Sequence, residues 1–151
     1  MRHWERTKKW LPAILWACLI SLLSTDLFSS THTSHIIIPL LHWIFPRANA
    51  ETLERMHFFI RKSAHFTEYF LFSIFLFRGL RANDRGWKFC WAIWAVVISA
   101  GYAGLDEFHQ SFVASRTASP WDALLDTVGA STAQIVLWLW NLWMRNAAGG
   151  R

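Results

Sequence analysis

The sequence predicts an all-α integral membrane protein, a four-transmembrane-helix bundle with a short interfacial or re-entrant segment after helix 1. Three observations lead to this prediction. The 151 residues are 54% hydrophobic, with 11 Trp and 12 Phe. The apolar residues occur in helix-length blocks free of charge, unlike the amphipathic pattern of soluble domains. The basic residues concentrate on one side of such a bundle. Because the chain is short for two domains, we treat 1–151 as one membrane domain.

The first predicted span covers about residues 10–28 and follows a basic segment, 1–9. Its length suits a bilayer crossing. A cleaved signal peptide is the alternative, because basic residues precede an apolar core. We favour a retained first helix, since no clear small-x-small cleavage site follows Leu23. The sequence leaves that alternative open.

The connection after the first span contains the apolar stretch His35–Phe45, which is too short to cross a bilayer. Pro39 is expected to break it. This stretch therefore predicts the interfacial or re-entrant segment. Glu51–Ile60 has helical chemistry and is expected to continue into the second span, at about 63–80.

The third predicted span covers about 87–105, and the fourth about 122–143. Pro120 suits the start of the fourth helix, where a missing N–H costs nothing. Tryptophan lies near predicted span ends, as in the aromatic belts of membrane proteins. These tryptophans are Trp10, Trp87, Trp121 and Trp143.

The distribution of charge predicts the orientation. The N-terminus, the 81–88 turn with the adjacent Arg78, and the C-terminal tail together hold ten bases and two acids, a net charge of +8. The opposite side holds five bases and eight acids, a net charge of −3. Because the positive side of a membrane protein is cytoplasmic, both termini are expected on the cytoplasmic side of the inner (cell) membrane. The lipid bilayer is the predicted partner, and the net charge of +5 does not indicate nucleic acid.

A polar run opens the second span, and ionisable groups at such a place usually serve a site. His65, Glu68 and Tyr69 share one helical face, with Lys62 one turn earlier. A His-x-x-Glu pair binds metals or fixes a histidine tautomer for acid–base work. Taken alone, it also fits a hydrogen-bond network that joins helices.

Two further sets of polar residues follow: Asp106–Gln110 at the end of the third span, and Asp122 and Asp126 at the start of the fourth. A closed bundle would bring them to the first run near the outer membrane boundary. The catalytic candidates are His65, Glu68, Asp106, Glu107 and His109. The substrate-binding candidates are Lys62, Tyr69, Gln110, Arg116, Asp122 and Asp126. No Ser or Cys lies in a recognisable nucleophile setting, so a divalent cation that activates water is one option for an otherwise unknown cofactor.

Together these motifs resemble the VanZ-like family, named for a membrane protein associated with resistance to the glycopeptide teicoplanin. The resemblance covers about residues 10–143. Its motifs are Arg61-Lys62-x-x-His65-x-x-Glu68-Tyr69, Asp106-Glu107-x-His109-Gln110, Arg116 and Asp122-x-x-x-Asp126-x-x-Gly129. Two departures are present: Ala114-Ser115 stands where Pro-Gly often precedes the arginine, and Asp126 where Asn is common. The resemblance implies a multi-pass cell-envelope protein linked to antibiotic resistance but names no reaction.

Two functions remain open at this point. The site would either act on an envelope component, such as a lipid headgroup or a cell-wall precursor, or bind such a component or a glycopeptide-type ligand without chemistry. A transporter is less favoured, because the polar cluster lies at one end of the bundle rather than near the midplane.

Overall fold

All regular secondary structure is helical in the part of the chain that its computed structural model describes, residues 2–84, 86–112 and 119–149. This confirms the all-α prediction. One 3₁₀ turn separates the first two of five α-helices. The elements are α1 (Arg2–Leu23), the 3₁₀ turn (Asp26–Phe28), α2 (Ser30–Ile44), α3 (Ala50–Arg81), α4 (Phe89–Gln110) and α5 (Pro120–Gly149).

The segment after α1 is a continuous helix, so the expected break at Pro39 is wrong. A proline inside a helix removes one hydrogen bond but can be tolerated when other contacts hold the helix. Here the Ser29 side chain accepts a hydrogen bond from the backbone N–H of His32 at the helix start. Leu41 is buried near its end.

The other helices are longer than the predicted spans. α1 begins at Arg2 and contains Pro12 in its interior. α3 runs unbroken for 32 residues from its N-cap, Asn49, whose side chain accepts a hydrogen bond from the backbone N–H of Thr52. The predicted continuation of Glu51–Ile60 into the next helix is therefore confirmed. Both predicted polar runs, 61–69 and 106–110, lie within helices, the first in α3 and the second in α4.

Helices α3 and α5 run parallel. Lys62, in the middle part of α3, pairs with Asp122 in the first turn of α5. Farther along, the Gln134 amide donates to the Ser73 hydroxyl at 2.8 Å. The sequence position therefore advances in the same direction on both helices. These polar contacts at two levels tie α3 to α5 along their length.

Helix α1 runs parallel to α4. The Tyr102 hydroxyl donates to the carbonyl oxygen of Ala17 at 2.8 Å. Farther along both helices, the hydroxyl of Ser24, just after α1, donates to the carboxylate of Asp106, also at 2.8 Å. Both contacts are hydrogen bonds across more than 80 positions of sequence.

Helix α1 is antiparallel to α3. Near the start of α1, the Lys9 ammonium donates to the carbonyl oxygen of Ala82, just beyond the end of α3. Farther along α1, the Trp16 indole donates to the carbonyl oxygen of Glu68 at 2.9 Å. The bundle therefore consists of two parallel pairs of opposite direction.

Two helices, α4 and the Pro120–Ala148 part of α5, are long and apolar enough to cross a membrane, and no other helix in the described part meets that criterion. α1 carries basic residues in its first half, and α3 carries the first polar run. Large apolar side chains face outward around the bundle, among them Ile36, Trp43 and Phe112. Such a surface is typical of contact with lipid. Crossing by all four long helices remains a prediction.

Gly129 permits the closest approach of two helices. A Cβ at this position would lie 2.5 Å from the backbone carbonyl oxygen of Phe66. Real Cβ atoms do not approach that closely, and a backbone atom cannot rotate away. Small residues at such points let membrane helices pack backbone to backbone. Ala130 and Ala133, on the same part of α5, are fully buried.

We expect Gly129→Ala to separate α3 from α5 and to destabilise the protein by about 1–3 kcal/mol, as overpacking usually does. Thermal unfolding in detergent would measure the loss. Gly101→Ala is the matched control, because a Cβ there meets nothing within 4 Å. Equal melting temperatures for the two variants would contradict the proposed close approach.

Helix α2 contacts α3 through a buried histidine. His57 is 2% exposed, and its Nε2 lies 3.2 Å from the Thr33 hydroxyl. Burial, and then the positive charge of Arg61, lower the pKa of His57 below its ordinary value near 6.5. The neutral imidazole is therefore the form that holds α2 on α3.

We expect part of the stability to be lost as pH falls below about 6.5, because the unfolded chain then binds a proton that folded His57 resists. Above that pH the contribution is fully present. Thermal unfolding of the wild type and His57→Gln between pH 8 and 5 would measure it, since glutamine keeps a hydrogen-bonding group without titrating. The wild type should lose more stability than the variant; identical pH profiles would contradict the assignment to His57.

Candidate functional site

The polar groups predicted from the sequence meet at one end of the bundle. The end of α1, the middle of α3, the last turn of α4 and the first turns of α5 converge there. This convergence follows from the helix directions, because each parallel pair presents its polar residues at the same level. The first polar run contacts the start of α5, and the second contacts Ser24 at the end of α1 and Ser119 just before α5.

Two polar side-chain contacts link α3 to α5. Lys62 forms an ion pair with Asp122, and both side chains are partly exposed. One turn deeper, Nδ1 of His65 lies 3.6 Å from Oδ1 of Asp126. That distance exceeds a normal hydrogen bond. Asp126 is completely buried, whereas the His65 side chain is 15% exposed.

The two carboxylates of α4 are held by groups from other elements or other turns. Asp106 accepts hydrogen bonds from the Ser24 hydroxyl and the Gln110 amide, each at 2.8 Å. Glu107 accepts one from the backbone N–H of Ser119 at 2.7 Å, just before α5. Sequence reasoning missed Ser24 and Ser119. Neither lies within a charged motif, so only the helix packing could have identified them.

Several buried polar atoms of the site have no hydrogen-bond partner among the described residues. They are Nδ1 of His65, the hydroxyl of Tyr69, Oε1 of Glu107 and both carboxylate oxygens of Asp126. Most buried polar groups in folded proteins do have partners, so each exception calls for an explanation. Here they occur together, at the level of the His65–Asp126 pair. The site therefore has hydrogen-bonding capacity that the described residues do not use.

A cavity of about 170 Å³ opens beside His65, between α3, α2 and the end of α1. His65, Glu68 and Arg61 supply its ionisable lining, and Phe28 and Ile37 contribute apolar walls. Pockets for drug-sized ligands are usually 300–1,000 Å³. The cavity is therefore sized for a single small polar group rather than for a whole glycopeptide.

Of the remaining predicted residues, two lie buried in the site, one is exposed and one lies outside the described residues. Gln110 is buried beside Asp106, and Tyr69 is fully buried. His109 is exposed on α4, apart from the buried carboxylates. Arg116 lies outside the described residues. Within those residues, no group of three His, Cys, Asp or Glu side chains could hold a metal ion, so the geometry gives the divalent-cation option no support.

We expect Ser24→Ala to destabilise the protein by about 1–3 kcal/mol, because the buried Asp106 carboxylate loses one of its two donors. Chemical or thermal unfolding in detergent would measure the effect. Ser111→Ala is the control, since its hydroxyl is exposed and bonds only within its own turn. If both variants unfold alike, the Ser24–Asp106 contact contributes little.

Comparison with known proteins identifies the family. A family model described as VanZ/LLP1 matches residues 9–141, which is most of the chain and includes all four site elements. No curated protein matches, and neither does any solved structure. The match agrees with the resemblance seen in the motifs around His65, Asp106 and Asp126. The chain belongs to the VanZ/LLP1 family.

Proposed function

We propose that the protein is a four-span inner-membrane protein whose site, at the outer membrane boundary, carries out acid–base chemistry on an envelope component. A lipid headgroup or a cell-wall precursor is the proposed substrate class. The observation that carries the proposal is the buried His65–Asp126 pair beside the polar cavity. A histidine oriented by a buried carboxylate is a recurring arrangement for proton transfer.

The helix directions support the four-span topology. α1 and α4 run one way, and α3 and α5 run the other way. Four successive crossings with both termini on the same side would produce this pattern. The side with a net charge of +8 is then cytoplasmic. With that orientation, the polar cluster faces outward.

In the proposed reaction, neutral His65 accepts a proton from a hydroxyl nucleophile. Water or a hydroxyl of the substrate would be this nucleophile. The nearby Ser24 hydroxyl would not, because it already donates to Asp106. The nucleophile oxygen forms a bond to the phosphorus or carbonyl carbon of the headgroup, and the leaving oxygen takes the proton back from the imidazole. Asp126 faces Nδ1 of His65 and stabilises the imidazolium between these steps.

Recognition of the headgroup would come from the same cavity. The Arg61 guanidinium lines it and can bind a phosphate or carboxylate through two parallel hydrogen bonds. Glu68, also in the lining, can accept a hydrogen bond from a substrate hydroxyl. The cavity volume of about 170 Å³ fits one such group while the rest of the molecule stays in the membrane or outside.

Binding without chemistry is the second candidate. It is favoured by the buried atoms without partners, because Tyr69 and Glu107 could donate to or accept from a bound ligand without any bond being broken. The two candidates differ in their products. A binder would protect its ligand stoichiometrically, whereas an enzyme would leave a modified lipid or precursor.

The test uses the purified protein in nanodiscs that contain envelope lipids and lipid-linked cell-wall precursor, with products followed by mass spectrometry. We expect a modified species with the wild type, at least about 100-fold less with His65→Ala, as for loss of a general base, and a large loss with Asp126→Asn. His42→Ala is the control, because His42 is exposed on α2. Undiminished product with His65→Ala would refute the acid–base role. Saturable binding without product would favour the second candidate.

A further inference from the structure

A second opening lies between α3 and α5 and shares no lining residue with the His65 cavity. It is a groove of about 720 Å³ near the same end of the bundle. Its walls combine one ion pair with several aromatic and apolar side chains. The residues that matter for recognition are Phe58, Lys62, Phe66, Trp121, Asp122 and Leu125.

The ion pair in this groove offers one charge of each sign. The Lys62 side chain is 27% exposed and the Asp122 side chain 19% exposed, so both can be reached. Lys62 donates to Oδ1 of Asp122. An ammonium has three donors and a carboxylate two oxygens, so this contact leaves capacity on both groups.

Aromatic faces surround the pair. The Lys62 ammonium lies 5.2 Å from the centre of the Phe58 ring. Trp121 is 75% exposed and Phe58 is 52% exposed, which leaves their rings available to a ligand. Aromatic faces attract ammonium groups, and tryptophan does so most strongly. The groove therefore favours a positively charged group near Asp122 as well as a negative one near Lys62.

We propose that this groove binds a zwitterionic phospholipid whose headgroup carries a primary amine, of the ethanolamine class. The phosphate would contact Lys62, the amine would donate to Asp122 beside Trp121, and the acyl chains would lie along Phe66 and Leu125. A purely anionic headgroup fits less well, because Asp122 would repel it. A choline headgroup cannot donate a hydrogen bond to the carboxylate. This binding does not depend on any chemistry at His65.

The test is native mass spectrometry of the full chain with ethanolamine, choline and glycerol phospholipids of identical acyl chains. We expect the wild type to retain the ethanolamine lipid most strongly, and the double variant Lys62→Gln/Asp122→Asn to lose about tenfold in its affinity. Lys88→Gln/Asp84→Asn is the matched control, because it removes an exposed ion pair of 2.9 Å in the α3–α4 turn, far from the groove. Soluble phosphoethanolamine should compete only weakly, since it lacks the chains.

Trp121→Ala supplies a second variant that keeps the ion pair and removes an exposed side chain that the bundle does not need for packing. It should reduce the preference for the ethanolamine lipid and leave the melting temperature unchanged. Equal retention of the three lipids by the wild type, or a preference for the glycerol lipid, would overturn the proposal. So would an unaltered preference in Trp121→Ala and in the ion-pair variant. These measurements follow lipid binding and not product formation. Failure of the proposed chemistry at His65 would therefore leave the lipid proposal standing.

Discussion

The close contact between α3 and α5 at Gly129 sets the geometry on which the rest of the bundle depends. The backbone of Phe66 occupies the space that any side chain at position 129 would need. Because the two helices are parallel and this close, Lys62 reaches Asp122, and His65 reaches Asp126. In a lipid environment, helices gain little from apolar burial against one another, so close packing and polar contacts must hold them together.

The polar cluster contains two kinds of carboxylate, which differ in whether neighbouring groups donate hydrogen bonds to them. Asp106 receives two hydrogen bonds from its neighbours and so resembles a structural link between α1 and α4. Asp126 is more deeply buried, and neither of its oxygens has a hydrogen-bond partner among the described residues, although the His65 imidazole lies beside it. Burying a charged carboxylate without hydrogen-bond donors costs free energy unless the charge is neutralised or paired with another group. The protein keeps this unfavourable arrangement next to His65, which lines the small polar cavity.

α3 serves as the common wall of two openings with different chemistry. Towards α1 and α2 it presents His65, with Arg61 and Glu68, in a small enclosed space. Towards α5 it presents Lys62 among aromatic rings in a wider groove. Helical geometry allows this because residues three apart, such as 62 and 65, can line different spaces while both still reach α5. Two openings of different chemistry can thus lie within one turn of each other.

The sequence by itself determined the all-helical class, the continuation of Glu51–Ile60 into the next helix and the level at which the polar groups lie. Those properties follow from charge-free apolar blocks and from the distribution of charge, so they could be predicted without the fold. The end of α1 at Leu23, short of the predicted limit near residue 28, could not. The tertiary structure decided which groups pair. It placed Asp126, and not a residue of the same helix, against Nδ1 of His65. It also brought Ser24 and Ser119 to donate hydrogen bonds to the carboxylates of α4. His109 was left exposed. It also kept α2 continuous through Pro39. These outcomes depend on how each helix is rotated about its axis and how closely it approaches a partner some 60 to 80 residues away, and no local pattern encodes that.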